Sequence, residues 1–212
     1  MKPFFLPVLI LGMSVLYIFV IPENPLAIKL FFKLIPMALI IFYAIKGMPK
    51  QKSILRWLVL TGLFFCAVGD ATLHWFIIGL SAFLVGHLFY MAGFFTQWKF
   101  SKWRAAAIIP LALYGIVMGS RMIAALIDSG ETRLVVPVLL YVLIISVMAW
   151  SAVMSGNKWA IAGSLLFVAS DSVLAWNMFV STVTYSHFWI MSTYYGVQFL
   201  IAHSLRSFSS RT

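Results

Sequence analysis

Long apolar runs, separated by short polar stretches, extend over almost the whole chain of 212 residues. Breaks at charged residues, glycine and proline delimit eight runs of 18–25 residues. An α-helix needs about 20 apolar residues to cross the hydrocarbon core of a membrane, so each run is long enough to span it. The predicted membrane helices are 4–21, 28–46, 54–73, 76–97, 103–127, 133–154, 158–179 and 184–206.

The first of these runs resembles a secretory signal peptide, because Lys2 precedes it. It has no small-residue cleavage site, however, and it is long enough to span the membrane. We therefore interpret it as the first transmembrane helix.

The composition agrees with a membrane protein. Apolar residues make up 63% of the chain and charged residues 9%, whereas soluble domains are about 45–50% apolar and about 25% charged. The single Cys66 excludes a disulfide within the chain and a thiolate metal cluster. We predict an all-α integral membrane protein that consists of one membrane domain, residues 1–212.

The net charge of +10 bears on topology. The basic residues lie in short loops between the predicted helices and not on one face of a soluble fold, so we expect no nucleic-acid partner. The outer side has only Lys29, Arg121 and Arg133, with Lys33 inside a predicted helix. By the positive-inside rule, both termini are expected in the cytoplasm. The eleven basic residues on the cytoplasmic side are Lys2, Lys46, Lys50, Lys52, Arg56, Lys99, Lys102, Arg104, Lys158, Arg206 and Arg211.

Two aspartates lie inside predicted helices, Asp70 in "GLFFCAVGDATLHWF" and Asp171 in "LLFVASDSVLAWNMF". Asp70 is 14 residues beyond Arg56 and Asp171 is 13 beyond Lys158, which places both about 20 Å from the cytoplasmic edge. A charge that faces lipid costs at least about 2.5 kcal/mol, so such acids usually mark a functional site in the bundle interior. The alternative is a structural pair in which each aspartate is hydrogen-bonded to Ser or Lys.

The two aspartates also coincide when the sequence is compared with itself at an offset of 101 residues. The same offset aligns Gly62 with Gly163, Leu73 with Leu174, Trp75 with Trp176 and Pro36 with Pro137. A shift of four helices preserves direction in the membrane. We therefore predict an eight-helix bundle built as a parallel four-plus-four repeat, with halves of about 1–102 and 103–212.

Several other polar residues lie within the predicted helices. His87 and Tyr90 are three residues apart and share a helix face, as do Tyr194 and Gln198, with Tyr195 beside them. His87 suits either a substrate-facing role or a hydrogen bond to a neighbouring helix. Lys33 either extends to the outer interface or pairs with an aspartate or a phosphate.

The chain has no phosphate-binding glycine loop, no G-x-S-x-G nucleophile turn and no H-E-x-x-H motif. No two of its four histidines lie at ligand spacing on one helix, so we predict no metal and no cofactor. A zinc hydrolase whose ligands gather from separate helices stays an alternative. Gly115 and Gly119 form a GxxxG motif, typical of close helix packing, and leave monomer or homodimer undecided.

Five blocks carry a family resemblance: "KLIP" at 33–36, "GDATL" at 69–73, "GLSAFLVGHLFY" at 79–90, "GSLLFVASDSVLAWNMF" at 163–179 and "STYYGVQFLI" at 192–201. In this order and spacing they resemble the YhhN-like lysoplasmalogenases, a family of integral membrane proteins. The resemblance implies an eight-helix enzyme that hydrolyses the vinyl ether bond of lysoplasmalogens to a fatty aldehyde and a glycerophospho-base. It also implies a lysophospholipid substrate, contact with membrane lipids and location in a bacterial cytoplasmic membrane.

The resemblance places the paired catalytic aspartates of the family on Asp70 and Asp171. Vinyl ethers are hydrolysed after proton addition to carbon, so we expect one aspartate to donate the proton and the other to stabilise the oxocarbenium ion. The residues expected to line the substrate site are Lys33, His87, Tyr90, Asn177, Tyr194, Tyr195 and Gln198.

Two other functions fit the same pattern of residues. Parallel repeats with membrane-embedded acids also suit a proton-coupled transporter of a small molecule or lipid, which would move its substrate without cleaving it. A lipid-binding or scaffold protein would use the aspartates only to pack its helices.

Overall fold

The computed structural model describes residues 4–47 and 53–209, and within these ranges the chain forms helices and no strands. The helices are α1 (Phe5–Phe19), α2 (Leu26–Lys46), α3 (Ile54–Thr72), α4 (Phe76–Phe95), α5 (Lys102–Ala106), α6 (Ile108–Asp128), α7 (Val135–Ser155), α8 (Lys158–Ala175) and α9 (Ser186–Ser209). A 3₁₀ turn, Thr132–Leu134, precedes α7, and a π-helical turn, Trp176–Val180, follows α8.

Six helical segments of the described chain are long and apolar enough to cross a membrane. They coincide with the six predicted helices between 28 and 179, so the chain is a multi-pass membrane protein. Helix α1, with 15 residues, is shorter than a membrane requires. Helix α9 is 24 residues long, but its sequence is interrupted by Ser, Thr and His.

The predicted helix 103–127 is divided into α5 and α6. Pro110 lies one turn beyond the break at Ala107. A proline has no N–H to donate, and its ring clashes with the carbonyl of the residue four positions earlier, which here is Ala106. The chain therefore ends α5 at Ala106 and begins a new helix at Ile108.

The bundle is built around two tightly packed pairs, α3 with α4 and α8 with α9. Helix α7 packs against α4, α6 and α8, and α2 packs against α1, α3 and α9. Large apolar side chains, among them Met37, Leu63, Met148 and Phe167, fill the space between these helices. The GxxxG motif of α6 faces the bundle, because a Cβ at Gly119 would lie 3.3 Å from the Leu139 side chain on α7.

A tight turn sets the start of α8 and hence the register of the helix that carries Asp171. Gly156 has a φ of +67°, a left-handed conformation that favours glycine. The Asn157 side chain then accepts hydrogen bonds from the backbone N–H groups of Trp159 (3.0 Å) and Ala160 (3.2 Å). This cap satisfies two of the backbone donors at the start of α8.

The close approach at the turn between α3 and α4 leads to a first prediction. A Cβ at Gly79 would lie 2.5 Å from the Cα of Leu73, so the backbone would have to shift to admit it. We expect Gly79→Ala to lower the free energy of unfolding by about 1–3 kcal/mol, the usual cost of overpacking. Gly12→Ala is the control, because a Cβ there would meet nothing within 4 Å. Equal melting temperatures of the two variants in detergent would contradict this account.

Candidate functional site

Asp70 lies in the last turn of α3, where only 3% of its surface is exposed. Its Oδ1 is 3.0 Å from Nζ of Lys33 on α2. Its Oδ2 accepts a hydrogen bond of 2.6 Å from the hydroxyl of Tyr194 on α9. Both carboxylate oxygens are thus engaged, and a buried charge has a partner of opposite sign, as burial requires.

The Lys33 side of this ion pair is also enclosed. Lys33 is only 8% exposed, so it does not extend to the outer interface, and of the two interpretations of this residue the structure shows an ion pair with aspartate. The hydroxyl of Tyr195 donates a hydrogen bond of 2.9 Å to the Lys33 carbonyl. Tyr17 of α1 meets the ring of Tyr195 edge-on at 6.1 Å between centroids. Helices α1, α2, α3 and α9 therefore meet around one pair of charges.

Asp171, on α8, has different surroundings. Its Oδ2 accepts a short hydrogen bond from the hydroxyl of Tyr141 on α7. Within residues 4–47 and 53–209, no ion pair involves Asp171. Asp171 is partly buried and lies in the wall of a pocket. The two intramembrane aspartates thus differ, since one is paired with a cation and the other faces open space.

This pocket lies between the start of α4, the middle of α6, the first half of α7 and the end of α8. Its interior is narrow, since about 50 Å³ is accessible to the centres of water-sized molecules. The polar side chains in its wall are Asp171, Ser172, Tyr114 and Tyr141, and the remaining lining is apolar. The hydroxyls of Tyr114 and Ser172 are 2.8 Å apart. An apolar cleft with a few convergent polar groups is the usual form of a small-molecule site.

An aromatic layer, formed by Phe83, His87 and Phe167, connects the surroundings of the two aspartates. Phe83 lines the pocket and also meets the ring of Tyr194, the hydrogen-bond donor to Asp70, at 6.0 Å. His87 meets the ring of Tyr141 edge-on at 5.2 Å and the ring of Phe167 at 4.5 Å. The tyrosines that bond the two carboxyl groups are therefore both packed against this layer.

The residues predicted to line the substrate site divide into three groups. Lys33, Tyr194 and Tyr195 surround Asp70. Tyr90 donates a hydrogen bond of 2.6 Å to Oε1 of Gln198, and both residues are fully buried. His87 is also fully buried, on the far side of Tyr141 from Asp171.

None of these residues lines the pocket beside Asp171, and Asn177 does not line it either. The side chain of Asn177 accepts a hydrogen bond of 2.9 Å from the backbone of Val183 and so shapes the loop after α8. The structure thus brings three of the seven candidates to Asp70 and none of them into the pocket.

The pocket also contains polar residues that the sequence analysis did not single out, namely Tyr114, Tyr141 and Ser172. The position of the two tyrosines well inside predicted helices, away from the membrane interfaces where tyrosine is common, is a signal that could have identified them. Ser172 adjoins Asp171 in the sequence. Within the described part of the chain, no group of three His, Cys, Asp or Glu residues could hold a metal ion.

One family profile matches most of the chain, and the length of this match identifies the family. The YhhN family profile matches residues 28–205, which include both aspartates and all or most of each helix from α2 to α9. The chain belongs to the YhhN family. This membership confirms the family resemblance seen in the sequence.

Curated YhhN relatives carry an enzyme name. The mouse protein named lysoplasmalogenase TMEM86B is 31% identical over 196 residues, covering 91% of this chain and 82% of the mouse protein. The human protein named lysoplasmalogenase TMEM86A is 38% identical over 167 residues, covering 69% of this chain and 64% of the human protein. The human protein named lysoplasmalogenase TMEM86B is 32% identical over 154 residues, covering 70% and 64% of the two chains. No solved structure matches the chain significantly.

Proposed function

We propose that this protein is a lysoplasmalogenase that hydrolyses the vinyl ether bond of lysoplasmenylethanolamine or lysoplasmenylcholine. The products are a fatty aldehyde and the glycerophospho-base. The observation that carries the proposal is a lone carboxyl group, Asp171, in the wall of an apolar pocket within the membrane. The names of the YhhN relatives support the same reaction.

The chemistry of a vinyl ether explains why one carboxyl group in an apolar pocket is useful. The bond resists bases and nucleophiles, and it becomes reactive when a proton adds to the carbon that will be the α carbon of the aldehyde. A neutral carboxylic acid beside that carbon supplies the proton, a step of general acid catalysis worth about 10²–10⁴-fold in rate.

The surroundings of the aspartates suggest which of them is the acid. Asp171 has no cationic partner in the described chain, so no neighbouring positive charge favours its carboxylate over its neutral form. Tyr141 hydrogen-bonds its Oδ2, which leaves Oδ1 to carry the proton. Asp70 is held as a carboxylate by Lys33 and Tyr194. We therefore propose that Asp171 donates the proton. Asp70 stays a carboxylate and provides a fixed negative charge next to the aromatic layer.

The reaction then proceeds in three balanced steps. The Asp171 carboxylic acid transfers its proton to the vinyl carbon, which leaves a carboxylate beside an oxocarbenium ion. Water adds to the oxocarbenium carbon and gives its proton to the Asp171 carboxylate, which forms a hemiacetal and restores the acid. The hemiacetal then collapses: its hydroxyl proton passes to the glycerol oxygen as the bond between the hemiacetal carbon and that oxygen breaks, which gives the aldehyde and the glycerophospho-base. The hydroxyls of Tyr114 and Ser172 are placed to hold the attacking water.

The apolar wall of the pocket accounts for the lipid part of the substrate. Side chains from α4, α6 and α7, including Leu80, Met118 and Ile145, would contact the alkenyl chain. The binding free energy from this contact grows with the apolar surface area that is covered. The scheme needs no cofactor. The substrate partner is a lysophospholipid drawn from the surrounding membrane lipids.

The membrane arrangement that we propose retains eight crossings in one membrane domain of residues 1–212, with both termini in the cytoplasm. The order of helix packing supports a four-plus-four repeat, because α3 with α4 corresponds to α8 with α9, and α1 with α2 to α6 with α7. Of the cytoplasmic basic residues used for the topology, Lys2, Lys50, Lys52 and Arg211 lie outside the described residues. Location in a bacterial cytoplasmic membrane is part of the same proposal.

The proposal is tested by incubating the purified protein in detergent with a lysoplasmalogen and, in parallel, with the saturated ether analogue. Mass spectrometry should detect aldehyde from the first substrate alone, because the saturated ether has no double bond to protonate. If no aldehyde forms, the enzyme proposal is wrong, and flux of the lipid in proteoliposomes would then test the transporter.

The hydrogen bond to Asp171 gives a second prediction. Tyr141→Phe removes the hydroxyl that stabilises the Asp171 carboxylate as its proton leaves, and it should lower kcat at least tenfold, because hydrogen bonds to charged groups are worth about 1.5–3 kcal/mol. Tyr185→Phe is the matched control, since Tyr185 is 78% exposed and does not line the pocket. The rate of aldehyde release is the measurement. Equal rates in Tyr141→Phe and Tyr185→Phe would contradict the assignment.

A further inference from the structure

The pocket beside Asp171 adjoins a second cleft at the end of the bundle where α3 is joined to α4 and α6 to α7. The two spaces share Phe76, Met178 and Phe179 in their walls. The second cleft is the more open of the two, with about 460 Å³ accessible to the centres of water-sized molecules, against about 50 Å³ in the first. A molecule that has its tail in the first space and passes these shared side chains would place its other end in the second.

The second cleft contains a pair of opposite charges. Nε of Arg133 is 3.0 Å from Oε2 of Glu131, and both side chains line the cleft. They are accessible, with 78% of the Arg133 side chain and 46% of the Glu131 side chain exposed. The guanidinium group has five N–H donors in a planar fork, so a bond through Nε leaves others for a phosphate.

The spacing along α7 matches a lysophospholipid. Arg133 lies in the 3₁₀ turn before α7 and precedes Tyr141, the hydrogen-bond partner of Asp171, by eight residues, which is about 13 Å along the two helical segments. In the substrate, the glycerol carbons and one ester oxygen separate the vinyl ether oxygen from phosphorus, a span of about 6 Å from ordinary bond lengths. The flexible side chain of Arg133 accounts for the remaining distance. A phosphate at Arg133 and a vinyl ether at Asp171 can therefore belong to one molecule.

We propose that Arg133 and Glu131 form the head-group site of the enzyme, with Arg133 binding the phosphate and Glu131 the primary ammonium of an ethanolamine head group. This inference rests on the proposed function, because it takes the substrate to be a lysophospholipid. It implies that the substrate enters from the end of the bundle that carries these two residues.

The site also predicts a preference between head groups. A primary ammonium donates hydrogen bonds to the carboxylate of Glu131, whereas the quaternary ammonium of choline has no N–H to donate. The structure therefore assigns the higher affinity to the ethanolamine lipid. Glu131→Gln should reduce the ratio of the two affinities towards one, because the amide has no charge and is a weaker acceptor.

The experiment measures KM and kcat of the Arg133→Gln variant with two substrates, one with a phosphate and one without. The KM for lysoplasmenylethanolamine should rise about tenfold, the loss expected for a charge-assisted bond at an accessible site. The KM for 1-alkenylglycerol, which has no phosphate, should stay unchanged, as should kcat for both substrates. Lys29→Gln is the matched control, because Lys29 forms an exposed ion pair with Glu23 that lines neither space. Equal changes with both substrates, or none, would overturn the proposal.

A binding measurement separates this inference from the catalytic proposal. The saturated ether analogue of lysophosphoethanolamine cannot be cleaved by the proposed route, and its affinity for the purified protein can be measured by native mass spectrometry. We expect Arg133→Gln to bind it about tenfold more weakly than the wild type or Lys29→Gln. This result without aldehyde release from lysoplasmenylethanolamine would reject the catalytic proposal alone. Unchanged binding by Arg133→Gln, with aldehyde release intact, would reject the head-group site alone.

Discussion

Asp171→Asn is expected to lower the rate of aldehyde release by about 10²–10⁴-fold, the range associated with loss of a general acid. Asparagine keeps nearly the same shape and still accepts a hydrogen bond from Tyr141, but it has no proton to give to the vinyl carbon. The measurement is aldehyde formation at saturating lysoplasmalogen. The melting temperature in detergent should change little, because the side chain is only partly buried and has no cationic partner in the described chain.

The control for this variant is Asp128→Asn, which makes the same chemical change at the exposed end of α6. Its rate should equal that of the wild type. If Asp171→Asn retained more than a tenth of the wild-type rate while folding normally, Asp171 would not be the proton donor.

Asp70→Asn should produce the second large effect, on stability first and on activity as a result. The change leaves the ammonium group of Lys33 buried without its carboxylate, and removal of one partner of a buried ion pair usually costs about 3–5 kcal/mol. Lys33→Met should destabilise the protein to a similar degree, because it leaves the Asp70 carboxylate unpaired. Thermal unfolding in detergent would measure both effects.

The double variant Asp70→Asn/Lys33→Met distinguishes the charge of Asp70 from its contribution to folding. It carries no buried charge at this position, so most of the lost stability should return. If the charge of Asp70 assists the reaction, the double variant should still be slower than the wild type. A fully active double variant would restrict Asp70 to a structural role.

An exposed ion pair provides the comparison for these variants. Glu23 and Lys29 are 2.8 Å apart, but 75% of the Glu23 side chain is exposed. Because exposed pairs contribute about 0–1 kcal/mol, Glu23→Gln should leave the melting temperature almost unchanged. An equal loss of stability in Glu23→Gln and Asp70→Asn would contradict the importance of burial at Asp70.

Much of the architecture could be predicted from the sequence, because the length of each apolar run matches the length of helix that a membrane requires. Six of the predicted helices coincide with helices that are long and apolar enough to span it. The clearest difference is the break before Ile108, which Pro110 causes and which a hydropathy pattern does not register. Eight crossings and the internal repeat stay predictions.

The site was less predictable, because helical spacing tells which residues share a face but not which helix that face meets. The spacing that grouped Tyr194 with Gln198 did not predict that one would bond Asp70 and the other Tyr90. In a membrane, apolar side chains favour lipid and neighbouring helices almost equally, so local packing and polar contacts decide the pairing of helices.

The sequence by itself determined that the chain is a helical membrane protein, that it belongs to the YhhN family, and that two aspartates lie within its long apolar helices. An acidic residue in an apolar helix is costly to place in hydrocarbon and therefore rare, so it is conspicuous in the amino-acid sequence alone. Only the tertiary structure decided that Asp70 pairs with Lys33, 37 residues away, and that Asp171 faces a pocket with Tyr141. Those partners come from separate helices, and only the packing of the helices brings them within bonding distance.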